Sequence, residues 1–126
     1  MYDSYQACIA LAGAIARPVV LWPGIGPDGQ YGFDPDELRA AFSARTKLML
    51  LNTPHNPTGK VFTLAELELS GSLAHEHDAI VVTDEVYEPL VFSGSTHVPM
   101  ATLPDMADAA RVDLFLSEGA GAATTQ

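Results

Sequence analysis

The stretch Leu48–Lys60, LMLLNTPHNPTGK, decides how the surrounding chain folds. It begins with an apolar run, Leu48–Leu51, that is short enough to be a buried strand. Pro54 and Pro57 follow, and each proline fixes φ and lacks a backbone donor, so neither a strand nor a helix can continue through them. The sequence therefore predicts a rigid loop at the carboxyl end of a buried strand, where open α/β sheets bind their ligands.

A second buried strand is predicted from the next apolar run. Ala79–Thr83, AIVVT, is rich in β-branched residues and does not alternate, which is typical of a strand covered on both faces. Thr63 and Glu66 have the spacing of a capping box and predict the start of a helix between the two strands. A strand, a helix and a strand at this spacing indicate parallel pairing.

Polar residues follow both predicted strands: Asn56 after the first, Asp84 and Tyr87 after the second. Because parallel strands end at the same edge of a sheet, we expect these three side chains to converge on one ligand. An acid at the end of a buried strand is costly unless it has a cationic partner or hydrogen bonds, and a protonated ring nitrogen would be such a partner. The alternative is that each residue only caps the turn that follows its strand.

The flanking segments give further predictions. Tyr5–Ala16 is apolar almost all round and predicts a buried helix, with Cys8 as a buried thiol. Val19–Trp22 and Leu90–Phe92 are compatible with short strands. Asp34, followed by a proline, predicts the cap of a further helix.

Composition limits the classes of function. The chain has 126 residues, 48% of them apolar, and a net charge of −10, which together indicate one globular domain. The negative charge argues against nucleic acid and against an anionic membrane surface as partners. No apolar run is long enough to span a bilayer and no basic region precedes the first one, so we expect a cytoplasmic protein.

Other catalytic chemistries find little support in the sequence. His75 and His77 are two positions apart and would not share a helix face, so no metal site is predicted. His55 and His97 are equally weak candidates. No G-x-S-x-G stretch is present to suggest a nucleophilic serine.

Residues 2–104 resemble the class I, fold-type I aminotransferases that use pyridoxal 5'-phosphate, in particular enzymes of the kynurenine, methionine and N-succinyldiaminopimelate aminotransferase kind. The stretches that carry the resemblance are LLNTPHNPTGKVFT, HDAIVVTDEVYEPLVF and HVPMATLP, with 28 positions between Asn56 and Asp84. The resemblance implies an α/β fold, the central part of the large domain, with a mostly parallel sheet covered by helices on both faces. Residues 1–106 would be a partial large domain, and residues 107–126 a tail without family character.

The resemblance also implies roles for three residues. Asn56 is similar to the asparagine that hydrogen-bonds the phenolic oxygen of the cofactor, and Tyr87 to the tyrosine that contacts the same oxygen. Asp84 is similar to the carboxylate that keeps the ring nitrogen protonated, so that the ring can act as an electron sink. The function implied is amino transfer between an amino acid and a 2-oxo acid.

The sequence departs from the family pattern where the chemistry occurs. Family members form a Schiff base with a lysine, and the region Asp113–Gly119, where it is expected, contains none. Lys47 and Lys60 are the only lysines, and we expect both to lie on the solvated surface. The glycine or serine loop that holds the phosphate is also missing. We therefore expect a truncated chain with no catalytic residue of its own, with weak or no binding of pyridoxal phosphate, and inactive alone.

Two alternatives remain open at this point. The chain could be a non-catalytic binding or dimerisation module, since family members are homodimers with active sites at the interface. It could also be one part of a split enzyme completed by a second chain that bears the lysine. The implied small-molecule partners are an amino acid and a 2-oxo acid, and the sequence does not identify which.

Overall fold

The computed structural model describes residues 3–87, 91, 96–104, 106 and 112–113. Its helices and strands are α1 (Asp3–Leu11), α2 (Pro35–Ala41), β1 (Leu48–Asn52), α3 (Leu64–Glu76), β2 (Ile80–Asp84) and β3 (Val112–Asp113), with short 3-10 turns at Pro27–Gly29 and Met100–Thr102. Of the strand predicted at Leu90–Phe92, Leu90 and Phe92 lie outside the described residues.

The described strands form one parallel sheet in the order β1-β2-β3. The pairing of β1 with β2 runs from Leu48 opposite Ile80 to Asn52 opposite Asp84. The two predicted strands are therefore parallel neighbours, and their polar carboxyl ends lie side by side. The α/β fold class predicted from the sequence is confirmed.

Helix α3 connects β1 to β2 and begins with the predicted capping box. The Thr63 hydroxyl accepts from the Glu66 N–H at 3.3 Å, and the Glu66 carboxylate accepts from the Thr63 N–H at 2.8 Å. Gly71 has a packing reason to be in this helix, because a Cβ there would lie 3.0 Å from the sulfur of Met106. Leu67, on the same helix, is fully buried.

The core lies between α3, the sheet and the segment after residue 96. Its largest fully buried apolar side chains belong to Leu67, Val81 and Met100. Around them pack the other buried apolar residues: Phe33, Leu38, Leu51, Phe62, Leu73, Ala74, Ala79, Leu103 and Met106. This core fixes the sheet edge at which the polar loops emerge.

Helix α1 does not match its prediction. It ends at Leu11, and Gly13 follows with a φ of 70°. Cys8 is exposed, and Leu11 and Ile15 are 88% and 83% exposed, so the predicted buried helix and buried thiol are wrong. The uniformly apolar sequence indicated burial, but packing needs a covering surface, and these side chains are not covered here. No helix in the described ranges is long and apolar enough to cross a membrane.

The segment Val19–Trp22 is not a regular strand. Trp22 makes a single antiparallel bridge to Gly32, with N–H···O distances of 2.7 and 2.9 Å in the two directions. Pro18 and Pro23, which lack backbone donors, flank the segment and limit further pairing. The Asp34 cap is confirmed, because its carboxylate accepts from the Asp36 N–H at 2.8 Å.

Candidate cofactor-binding site

Hydrogen bonds from the end of β1 join the loops that follow β1 and β2. The Asp84 carbonyl accepts from the Asn52 side-chain amide and from the Thr53 N–H, each at 3.0 Å. Asn52 also accepts from the Asn56 N–H at 2.8 Å. One asparagine at the end of β1 therefore connects the loop that contains Pro54 and Pro57 (the proline loop) to the end of β2.

Asn56 and Tyr87 lie together, as the sequence predicts. The side-chain amide of Asn56 donates to the Tyr87 hydroxyl at 3.1 Å, although the two residues are 31 positions apart. Asn56 is exposed and Tyr87 is half-buried, so both polar groups remain accessible to a ligand. Their arrangement presents an amide and a phenol side by side, and both can donate to one oxygen.

Asp84 is half-buried and has neutral donors on both carboxylate oxygens. The Tyr5 hydroxyl donates to Oδ2, and the Val86 N–H donates to Oδ1 at 3.3 Å. No cationic side chain of the described residues forms an ion pair with Asp84. A carboxylate with neutral donors alone keeps its negative charge uncompensated, which suits a cationic ring nitrogen.

An open cleft of about 550 Å³ lies beside the proline loop. Asn56 and Tyr87 line it together with Tyr31, His55 and Val91. Its volume falls within the range of small-molecule sites. Asp84 is not among the residues that line it, so the cleft reaches two of the three predicted site residues.

His55 is held inside the same loop. Its Nδ1 lies 2.9 Å from the Thr58 hydroxyl, and burial lowers the pKa of the His55 imidazole from its ordinary value of 6.5. The neutral ring is therefore favoured at neutral pH, and His55 adds no positive charge beside Asn56 under those conditions.

The structure adds a buried pair that sequence reasoning missed. Glu85, directly after Asp84, accepts from the Met100 N–H at 3.2 Å, and its other oxygen lies 3.1 Å from His97 Nε2. The side chains of His97 and Glu85 are only 5% and 6% exposed. The pair ties the turn after β2 to the segment that begins at residue 96. No sequence signal indicated the pair, because Glu85 stands next to another acidic residue and His97 is 12 positions away.

The two lysines differ in their surroundings. Lys47 is exposed, as predicted, but Lys60 is 3% exposed and its ammonium group lies 2.8 Å from the Glu66 carboxylate. The expectation that Lys60 is solvated is therefore wrong. The ion pair compensates for the loss of water around the ammonium group, which makes burial of Lys60 possible.

Comparison with known proteins gives the family of the chain. Residues 1–121 match the family described as aminotransferase class I and II. The chain belongs to this family. It is 46% identical to kynurenine–oxoglutarate transaminase 3 of Mus musculus over 110 residues, which cover 83% of this chain and 24% of the relative. It is 42% identical to the probable N-succinyldiaminopimelate aminotransferase of Mycobacterium tuberculosis, covering 85% of this chain and 26% of the relative.

Solved structures of aminotransferases have the same fold. The N-succinyldiaminopimelate aminotransferase of Mycobacterium tuberculosis superposes with a TM-score of 0.76 at 41% identity, covering 87% of this chain and 28% of that structure. A methionine aminotransferase of Escherichia coli gives a TM-score of 0.77 at 35% identity with the same coverages. The chain thus spans about a quarter of the length of its relatives. The family uses pyridoxal phosphate.

Proposed function

We propose that this chain supplies the ring-binding part of a pyridoxal phosphate site in an aminotransferase. The observation that carries the proposal is the arrangement of Asn56, Tyr87 and Asp84 at one edge of the parallel sheet. Asn56 and Tyr87 present two donors suited to a phenolic oxygen, and Asp84 presents a carboxylate suited to a protonated ring nitrogen. When bound, the cofactor withdraws electrons from the substrate and carries its amino group.

Each of these residues has a distinct task in the proposal. Asp84 holds a proton on the ring nitrogen through its negative charge, while the Tyr5 hydroxyl and the Val86 N–H fix the direction of its carboxylate. Asn56 and Tyr87 orient the ring through the oxygen next to its reactive carbon. The tasks are binding, orientation and control of one proton, and none of them supplies a nucleophile.

We further propose that the chain alone does not catalyse amino transfer. The ammonium group of Lys60 is occupied by Glu66, and Lys47 lies next to Leu48, at the opposite end of β1 from Asn52. A strand of five residues spans roughly 15 Å, which separates Lys47 from the candidate site. The reactive lysine would then come from elsewhere in the whole protein or from a second chain.

The exposed apolar residues of α1 and the segment after it favour the second-chain alternative as another candidate. Leu11 and Ile15 are among the most exposed large apolar residues described. The partner this alternative requires is a second chain that bears the reactive lysine but lacks the ring-binding residues. Mixing the chain with such a protein and assaying transaminase activity tests it: activity absent from both separate components would support a split enzyme.

The experiment for the ring site is a titration of the chain with pyridoxal phosphate. Binding is measured by isothermal titration calorimetry and by the absorbance of the cofactor. Asp84→Asn removes the charge but keeps the shape, and we expect at least tenfold weaker binding, which corresponds to about 1.4 kcal/mol. Asp78→Asn is the matched control, because Asp78 is an exposed residue near the opposite end of β2. Equal affinity of the Asp84→Asn variant and the unmodified chain, or no binding by the unmodified chain, would overturn the proposal.

A further inference from the structure

Lys60 lies at the end of the proline loop and is enclosed by protein. Its Nζ donates to both carboxylate oxygens of Glu66, at 2.8 and 3.0 Å, and lies 4.9 Å from the centre of the Phe62 ring. A bidentate contact of this kind, with the lysine side chain 2% exposed and the glutamate side chain 17% exposed, is poorly accessible to water and salt. The pair therefore differs from a mobile surface ion pair.

Glu66 is itself fixed by the start of α3. One of its oxygens accepts from the Thr63 N–H at 2.8 Å and lies 3.1 Å from the Thr63 hydroxyl. A carboxylate in the first turn is also favoured by the partial positive charge of the helix N-terminus. The position of the carboxylate is thus set by the helix, and the position of Lys60 is set by the carboxylate.

Lys60 in turn closes the loop that contains Asn56. The Lys60 carbonyl accepts from the His55 N–H at 2.8 Å, and the His55 carbonyl accepts from the Gly59 N–H at 2.7 Å. The Lys60 N–H donates to the Thr58 hydroxyl at 3.3 Å. The loop from His55 to Lys60 is therefore a closed unit, held by β1 at its start and by Glu66 at its end.

We propose that Lys60 and Glu66 are positioning residues that hold the Asn56 side chain against Tyr87. The Asn56–Tyr87 hydrogen bond is exposed and connects two separate loops, so it contributes little to holding the loops together. The Lys60–Glu66 pair attaches the carboxyl-terminal end of the proline loop to α3. It thereby sets the orientation of the loop relative to the sheet. Because this role concerns the binding of the cofactor ring, it rests on the proposed function.

The test begins with a measurement that needs no cofactor. In the isotope-labelled chain, the NMR signals of the Asn56 side-chain amide and its cross-peaks to the Tyr87 ring report their contact. Lys60→Met should remove these cross-peaks and shift the amide signals toward those of a free asparagine. Lys47→Met, a change at the exposed lysine, should leave both unchanged.

The Glu66→Gln variant distinguishes a loss of the position of Asn56 from a loss of folding. Glutamine preserves the capping-box pattern of α3, whereas the charge that holds Lys60 is lost. We expect an unchanged helix content, weaker Asn56–Tyr87 cross-peaks and at least threefold weaker binding of pyridoxal phosphate. This variant also decides the question if Lys60→Met does not fold.

The outcomes distinguish the two proposals. If the unmodified chain binds no pyridoxal phosphate, the proposed ring site fails, while the NMR comparison still tests the positioning role. Asn56 and Tyr87 signals that remain unchanged in folded Lys60→Met or Glu66→Gln variants would overturn the positioning role, whatever the affinity for the cofactor.

Discussion

The buried contact between His97 and Glu85 allows a quantitative prediction for stability. Removal of one partner of a buried hydrogen bond costs about 1–3 kcal/mol, because the other group stays buried without its partner. His97→Leu removes the ring nitrogen that lies 3.1 Å from Glu85, but the Met100 N–H still donates to the other Glu85 oxygen at 3.2 Å. We therefore expect a loss within that range, about 2 kcal/mol in the free energy of unfolding.

Urea unfolding followed by far-UV circular dichroism measures this loss. The midpoint should fall while the slope of the transition stays the same, since a similar surface is exposed on unfolding. His75→Leu is the matched control: His75 is exposed in the last turn of α3, and its removal should cost less than about 0.5 kcal/mol. A His97→Leu variant within about 0.5 kcal/mol of the unmodified chain would contradict this prediction.

A double replacement checks the physical cause. If the loss arises from the Glu85 oxygen that loses its His97 contact, then Glu85→Gln combined with His97→Leu should be more stable than His97→Leu alone, because glutamine is uncharged and its oxygen can still accept from the Met100 N–H. Additive losses in the double variant would show instead that the cost comes from packing.

Three further predictions follow from single residues. Incubation with pyridoxal phosphate and borohydride should label the exposed Lys47 and spare Lys60, whose ammonium group is paired, as peptide mass spectrometry would show; comparable labelling of both would contradict this. Leu67→Ala should lower the free energy of unfolding by about 3 kcal/mol, whereas Leu64→Ala, at a half-exposed position, should cost less than about 1 kcal/mol in the same urea experiment. Because the pKa of His55 is lowered in the folded chain, the unfolded chain takes up its proton at higher pH, so stability should fall as the pH drops below 6.5; an NMR titration midpoint at or above 6.5 would contradict this.

The features that the sequence predicted correctly depend on neighbours along the chain. The capping box needs only Thr63 and Glu66, three positions apart, and the two strands are recognisable from unbroken apolar runs. The meeting of Asn56 with Tyr87 followed from parallel pairing, which the length of the intervening helix indicates. The cofactor-binding role of Asn56 and Tyr87 and the domain boundary at residue 106 stay predictions.

The features that were missed depend on contacts between segments. A lysine after a loop is normally solvated, and only the fold brings Glu66 close enough to bury Lys60. His97 meets Glu85 across 12 positions, and neither residue lies in a periodic pattern that would reveal its partner. The apolar sequence of α1 predicted a buried helix. Whether a helix is buried depends on which other residues pack against it, and the sequence of α1 does not show that.

The strand register links the core to the candidate site. Side chains alternate between the two faces of a sheet, so a shift of β2 by one residue would move Val81 out of the core and onto the other face. The same shift would move Asp84 from its place opposite Asn52. The Asp84 carbonyl could then no longer accept from the Asn52 side-chain amide. Because burial of Val81 opposes the shift, the apolar residues of the strand also determine which carboxylate stands beside the proline loop.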